Sequence, residues 1–361
     1  MLEFIPIEIY TPIYYHILLS VVLMTILHSQ VLQINDKVNL VYVRSCGLIL
    51  LIFVLGYMGL RPLSGIFTDM GLYAKYFFQI QEGNNFSLGE DFLFDLLLLI
   101  TAYATNIDFF FLLCAGLYVI PLYLGSKKWF GGYWFYSFLF LVISFSFWNY
   151  GTNGIRNGIA TSIFILGLSR ENKRNQIILI LVAVGFHKSM LLPAIAYAAT
   201  FINNNPKVYL RFWLLCIPLS LFLGGYLESI ITYLGFGDDR LSKYLTDEEF
   251  GANYNRGFRW DFLIYSAAGV FAGYYFIFKR KFKDNFYNHL FNIYLIANGF
   301  WILIIRASYS NRFAYLSWFL LGIIVVYPFL KEKLFVNQHQ KLGGTLLVYF
   351  MFTYIMNVIL A

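Results

Sequence analysis

The 361 residues are 60% hydrophobic and only 12% charged, with a mean hydropathy of +0.66. A soluble domain averages near half apolar and a quarter charged, so this balance excludes an ordinary soluble enzyme and fits a chain dissolved in lipid. The formal charge of +7 is read as basic cytoplasmic loops, and no nucleic-acid partner is expected.

In chain order, apolar runs of spanning length cover 9–30, 40–60, 108–126, 132–149, 208–226, 260–279, 287–306, 312–330 and 343–361. Glu3 and Glu8 precede the first run without a basic stretch, so that span is expected to be retained. A shorter run, DFLFDLLLLITAYA, covers 91–104. Residues 155–169 lead into the basic turn SRENKRN, and the following run 175–203 is interrupted by His187-Lys188-Ser189. Cys46, Cys114 and Cys216 lie inside apolar runs without CxxC spacing and read as packing residues.

Charge sets the expected topology. Arg170/Lys173/Arg174, Lys279/Arg280/Lys281/Lys283 and Lys331/Lys333/Lys341 should all face the cytoplasm, so an even number of spans separates each pair. That parity requires 175–203 to be two short helices with His187 at an outer tip. The same test, with Lys37/Arg44 and Lys127/Lys128 inside, leaves 91–104 as a short external or re-entrant helix. The expectation is an all-α integral membrane protein of about 12 transmembrane helices, forming a single membrane domain over 1–361. Both termini and the loops 61–107 and 227–259 should be external.

The chain has no GxxxxGK[ST], GxGxxG or HExxH, and no Cys/His ligand spacing, so no cofactor or metal is expected. Four polar clusters fall on the expected outer side. They contain Arg61, Asp69 and Tyr73; Asn153 and Arg156; His187 and Lys188; and Arg306, Arg312 and Tyr315. Residues 155–169 and 175–187 rise only about 20 Å against a hydrocarbon core of about 30 Å. Arg156 and His187 should therefore lie below the outer surface, where ionisable groups are costly unless they face a cavity or a partner.

These clusters resemble the EpsG family of Wzy-type polysaccharide polymerases. The resemblance rests on Arg61 with Thr68-Asp69 and Tyr73, on Ile155-Arg156-Asn157-Gly158-Ile159-Ala160, on Phe186-His187-Lys188-Ser189-Met190-Leu191, and on Arg312 with Tyr315. Pro62-Leu63-Ser64 departs from the usual connection, and 227–259 matches nothing in the pattern. The resemblance implies a GT-C-like fold in a bacterial cytoplasmic membrane and an undecaprenyl-pyrophosphate-linked oligosaccharide as substrate. It also makes a chain-length regulator protein a candidate partner.

On that reading Arg156 and Arg312 hold the pyrophosphate at the external face, assisted by Arg61, Arg306 or Arg259. Arginine suits the task because its fork binds phosphate oxygens in pairs and keeps its proton. His187 is the expected base, with Asp69 orienting the acceptor or replacing His187 in that role. Tyr73, Asn153, Lys188, Tyr315 and the 227–259 loop complete the substrate contacts. Two rivals remain: a transferase using a polyprenyl-phosphate sugar donor with Asp69 as base, and a flippase for lipid-linked oligosaccharide.

Overall fold

A computed structural model describes residues 2–233, 257–307 and 310–360, and all of its elements are helices. Most of the 227–259 loop, expected to be external and to hold sugar, lies outside the described residues. Lipid offers no partner for a free backbone N–H or C=O, so helices that satisfy their own backbone are the economical answer to so apolar a sequence. Among the described residues seven helices are long and apolar enough to cross a membrane: Ile7–Val31, Lys37–Gly59, Ile107–Val142, Pro206–Tyr226, Trp260–Lys279, Asn311–Lys331 and Gln338–Ile359. Three shorter apolar helices, Phe92–Ala104, Ile155–Leu168 and Lys188–Ile202, accompany them.

The chain divides into two compact units, Met1–Met190 with Val326–Ala361, and Leu191–Val325. In the first unit the elements are α1 (Ile7–Val31), α2 (Lys37–Gly59), α3 (Thr68–Gln81), α4 (Phe92–Ala104) and α5 (Ile107–Phe130). They continue with α6 (Trp134–Val142), α7 (Phe147–Thr152), α8 (Ile155–Leu168) and α9 (Lys173–Phe186). Only 14 residues long, α8 is buried on nearly every side and packs against α5 and α9. By contrast α1 and α2 turn Leu27, Ile49 and Ile52 outward, each more than two-thirds exposed, as a surface wetted by lipid tails requires.

The apolar run 132–149, expected as one span, is not one helix. The helix α6 stops at Val142 and α7 restarts at Phe147. Hydroxyls from neighbouring helices donate to carbonyls on both sides of the break. The Tyr14 hydroxyl donates to Val142 O at 2.8 Å, and that of Tyr118 donates to Phe147 O at 3.1 Å. Backbone turns across the break supply the rest, with Ser144 N donating to Leu141 O and Phe147 N to Ser144 O. A break inside lipid is tolerated where such donors are at hand.

The expected interruption at His187 is present. The helix α9 ends at Phe186, His187 adopts extended backbone angles (φ −155°, ψ 119°), and a 3₁₀ turn covers Lys188–Met190.

The second unit holds α10 (Leu191–Ile202), α11 (Pro206–Tyr233), α12 (Trp260–Tyr274), α13 (Asn285–Leu303) and α14 (Asn311–Trp318). Its centre is a satisfied polar knot. Asn298 accepts from Trp213 Nε1 at 2.7 Å and donates to Ser266 Oγ at 3.1 Å and to Ser317 Oγ at 2.9 Å. The chain then runs through α15 (Leu321–Lys331) and returns to the first unit for α16 (Gln338–Tyr354), which packs along α1.

Candidate functional site

In the first unit, four short segments end close together: the N-terminus of α3, the N-termini of α4 and α8, and the C-terminus of α9. The start of α8 is fixed first by glycines. A Cβ at Gly158 would stand 2.7 Å from the Tyr150 carbonyl oxygen, and one at Gly154 would stand 2.6 Å from the Tyr150 ring. Without side chains there, α8 tucks directly beneath α7, and this close fit explains the glycine two residues after Arg156.

The first turn of α8 is also capped from outside its own chain neighbourhood. Asp69, at the start of α3, accepts from Ile155 N at 3.3 Å. A carboxylate at that place satisfies an orphan N–H and opposes the positive end of the helix.

Arg156 then projects from the first turn into a group of acids. Its Nη1 lies 2.6 Å from Asp91 Oδ2, with Arg156 16% and Asp91 8% exposed at the side chain. The guanidinium sits 5.7 Å from the centre of the Tyr73 ring, within cation–π range. Asp91 serves a second partner: His187 Nδ1 stands 3.0 Å from its Oδ1 and 3.1 Å from its Oδ2. Lys188 N donates to Asp91 Oδ1 at 3.1 Å, and the Lys188 ammonium pairs with Glu90 at 2.8 Å in a half-exposed contact of small energetic weight. Burial by itself would raise the Asp91 carboxyl. The His187 hydrogen bond, the His187 and Arg156 charges and the Lys188 N–H outweigh it and hold the group down at about 2.

Arg61 sits deeper, at 1% exposure, between the rings of Phe67 and Phe111 at 5.5 and 5.3 Å. Its Nη1 donates to Met58 O at 2.6 Å, closing the last turn of α2, while Nε and Nη2 have no hydrogen-bond partner. Burial lowers this guanidinium to about 10, so it stays charged at neutral pH, and Asp69 opposes the shift from nearby. Asp69 acts electrostatically on Arg156 as well, so one carboxylate faces both arginines. The Oδ1 atoms of Asn153 and Asn157 are buried nearby in sequence to Arg156 and are likewise without a hydrogen-bond partner.

Of the residues singled out from the sequence, the first unit therefore brings His187 and Lys188 to Asp91, and Tyr73 and Asp69 to Arg156, which is itself paired with Asp91. Arg61 flanks this group, and Asn153 stands at the end of α7. The remaining four belong to the other unit. Arg259 is engaged by a two-pronged pair with Asp261, at 3.0 and 2.6 Å, and lies 3.7 Å from the Phe262 ring centre. Arg306 donates from Nη2 to Leu221 O at 3.3 Å. Arg312 is the second residue of α14, and Tyr315, buried on the same helix, packs edge-on against Trp318.

The residue that sequence reading passed over is Asp91. It opens the short apolar helix α4, and an ionisable group at the mouth of an apolar segment was the available signal. Chemically, the arrangement offers an imidazole oriented by a carboxylate beside a guanidinium that retains further N–H donors, all at helix ends within an apolar body.

Neither a search of curated proteins nor one of solved structures gave a match. The family model described as the EpsG family matches residues 44–361. That match spans most of the chain, and the protein belongs to the EpsG family.

Proposed function

We propose that this protein is a polysaccharide polymerase that transfers an undecaprenyl-pyrophosphate-linked glycan onto the next lipid-linked repeat unit at the external membrane face. Membership of the EpsG family supports the polysaccharide-polymerase type of membrane function. The observation that carries the chemistry is the Arg156–Asp91–His187 cluster, an imidazole, a carboxylate and a guanidinium joined at 2.6 and 3.0 Å.

In the reaction, the acceptor sugar hydroxyl attacks the anomeric carbon of the donor glycan and His187 takes the hydroxyl proton. The bond from that carbon to the phosphate oxygen breaks, and its electron pair leaves with the lipid pyrophosphate. Arg156 has one nitrogen committed to Asp91, and its remaining N–H groups face the charge that develops on phosphate. Arginine supplies this stabilisation without a metal. Asp69 supports the chemistry by orientation, because its carboxylate holds the first turn of α8.

The test uses the full-length protein in lipid nanodiscs with undecaprenyl-pyrophosphate-linked repeat units, followed by separation of the products. A ladder of increasing chain length is expected. Addition of single sugars from a polyprenyl-phosphate donor, or movement of lipid-linked glycan between leaflets without extension, would overturn the polymerase reading.

A further inference from the structure

We infer that Asp91 is the positioning residue of this site, holding His187 in the tautomer that carries hydrogen on Nδ1 and leaves Nε2 open to accept a proton. The assignment of a catalytic purpose rests on the polymerase reading above; the geometry does not.

The argument is one of donors and acceptors. An ionised carboxylate only accepts. Asp91 is kept ionised by the Arg156 guanidinium at 2.6 Å and by the Lys188 N–H at 3.1 Å. Its contacts of 3.0 and 3.1 Å to His187 Nδ1 therefore require the hydrogen to sit on Nδ1. A neutral imidazole has one hydrogen, so Nε2 is bare. Among the described residues none hydrogen-bonds to Nε2, and the His187 side chain is 20% exposed, which leaves this nitrogen as the one available to take a proton.

Three features of the chain make the arrangement specific. His187 is the residue at which α9 ends, and its extended backbone turns the following Lys188 N–H toward the same Asp91 oxygen. Asp91 immediately precedes α4, which packs against α9. Arg156 balances the charge, so a proton arriving at Nε2 creates an imidazolium next to a carboxylate that is already in place. No reorganisation is needed at the moment of transfer. The same carboxylate fixes one end of the Arg156 fork, which directs the rest of it.

The test reads the tautomer without substrate. Full-length protein labelled with ¹⁵N-histidine is placed in lipid nanodiscs at neutral pH, and the His187 signals are identified by their loss in His187→Gln. The expected spectrum shows a protonated Nδ1 and a bare Nε2 in the wild type. In Asp91→Asn that preference is lost, and in Asp91→Glu it returns. Chain extension by Asp91→Asn should fall by about a hundredfold or more, with recovery in Asp91→Glu. A wild-type spectrum with hydrogen on Nε2, or an Asp91→Asn protein with unchanged tautomer and rate, overturns the inference. The wild-type spectrum decides by itself even where Asp91→Asn fails to accumulate. The expected tautomer without any polymer would leave Asp91 in place and remove the polymerase reading.

Discussion

Asp69 and Ile155 are 86 residues apart in the chain, yet the Asp69 carboxylate accepts from the Ile155 N–H and closes the first turn of α8. Arg156 is the next residue, so the cap sets where the guanidinium points. An Asn side chain still presents a carbonyl oxygen at that place, whereas Ala presents nothing. Asp69→Asn should retain most chain extension and Asp69→Ala should lose about 1 kcal/mol of stability, read by unfolding in detergent. An inactive Asp69→Asn beside an active His187→Gln would transfer the base to Asp69.

Gly158 gives a steric prediction. A methyl group there meets the Tyr150 carbonyl oxygen at 2.7 Å and carbon at 3.2 Å, both backbone atoms that cannot step aside. Gly158→Ala should cost about 1–3 kcal/mol, against the gain of up to about 1 kcal/mol that alanine brings to an open helix position. Gly56 in α2, where a methyl group meets nothing within 4 Å, is the matched control. Gly56→Ala should be neutral or stabilising by thermal unfolding, and equal behaviour of the two would remove the proposed contact.

Acid stability should report on Asp91. Its carboxyl titrates near 2 in the folded protein rather than at the usual 3.8. The associated stabilisation is complete above the unfolded value and disappears as pH falls through the folded one. The shift corresponds to roughly 2 kcal/mol. The stability difference between wild type and Asp91→Asn should shrink by about that amount between about pH 4 and pH 2. Denaturant unfolding at each pH checks it, and a difference that stays level between about pH 4 and pH 2 contradicts the assignment.

Arg156→Lys keeps the charge but gives up the planar fork that serves Asp91 on one side and phosphate on the other. Chain extension should slow by about a hundredfold while the protein still accumulates in the membrane. A lysine variant with near-normal polymer would make Arg156 a structural partner of Asp91 alone.

The proposed external site also predicts an accessibility pattern. Lys173 starts α9 and His187 follows its last residue, so the two mark opposite ends of one helix. Cysteines introduced at Lys173 and at Asn85, on the exposed loop before α4, should react oppositely with a membrane-impermeant maleimide once the three native cysteines are removed. Reaction at position 173 from outside would reverse the orientation and put the site on the cytoplasmic face.

Much of this architecture is written locally. Apolar runs of spanning length became helices at α1, α2, α5, α11 and α12 because backbone satisfaction in lipid depends on a segment's own length and polarity. The interruption at His187 was legible for a similar reason, since charge parity and a polar tripeptide both act at one place in the chain. Arg156 was recognisable from its glycine neighbours. The break between Val142 and Phe147 was not legible, because the hydroxyl that satisfies the Val142 carbonyl comes from Tyr14 on another helix.

By itself, then, the sequence determined a lipid-embedded helical chain, the helix end at His187 and the placing of Arg156 at the head of a short helix. The tertiary structure alone decided that Asp91 would join them. His187 and Asp91 lie 96 residues apart, and a carboxylate at a helix start looks the same in sequence whether it meets water, an N–H or an imidazole. The choice falls to the packing of α4 and α8 against α9, which brings those helix ends together in a region too dry to leave any of their charges unmatched.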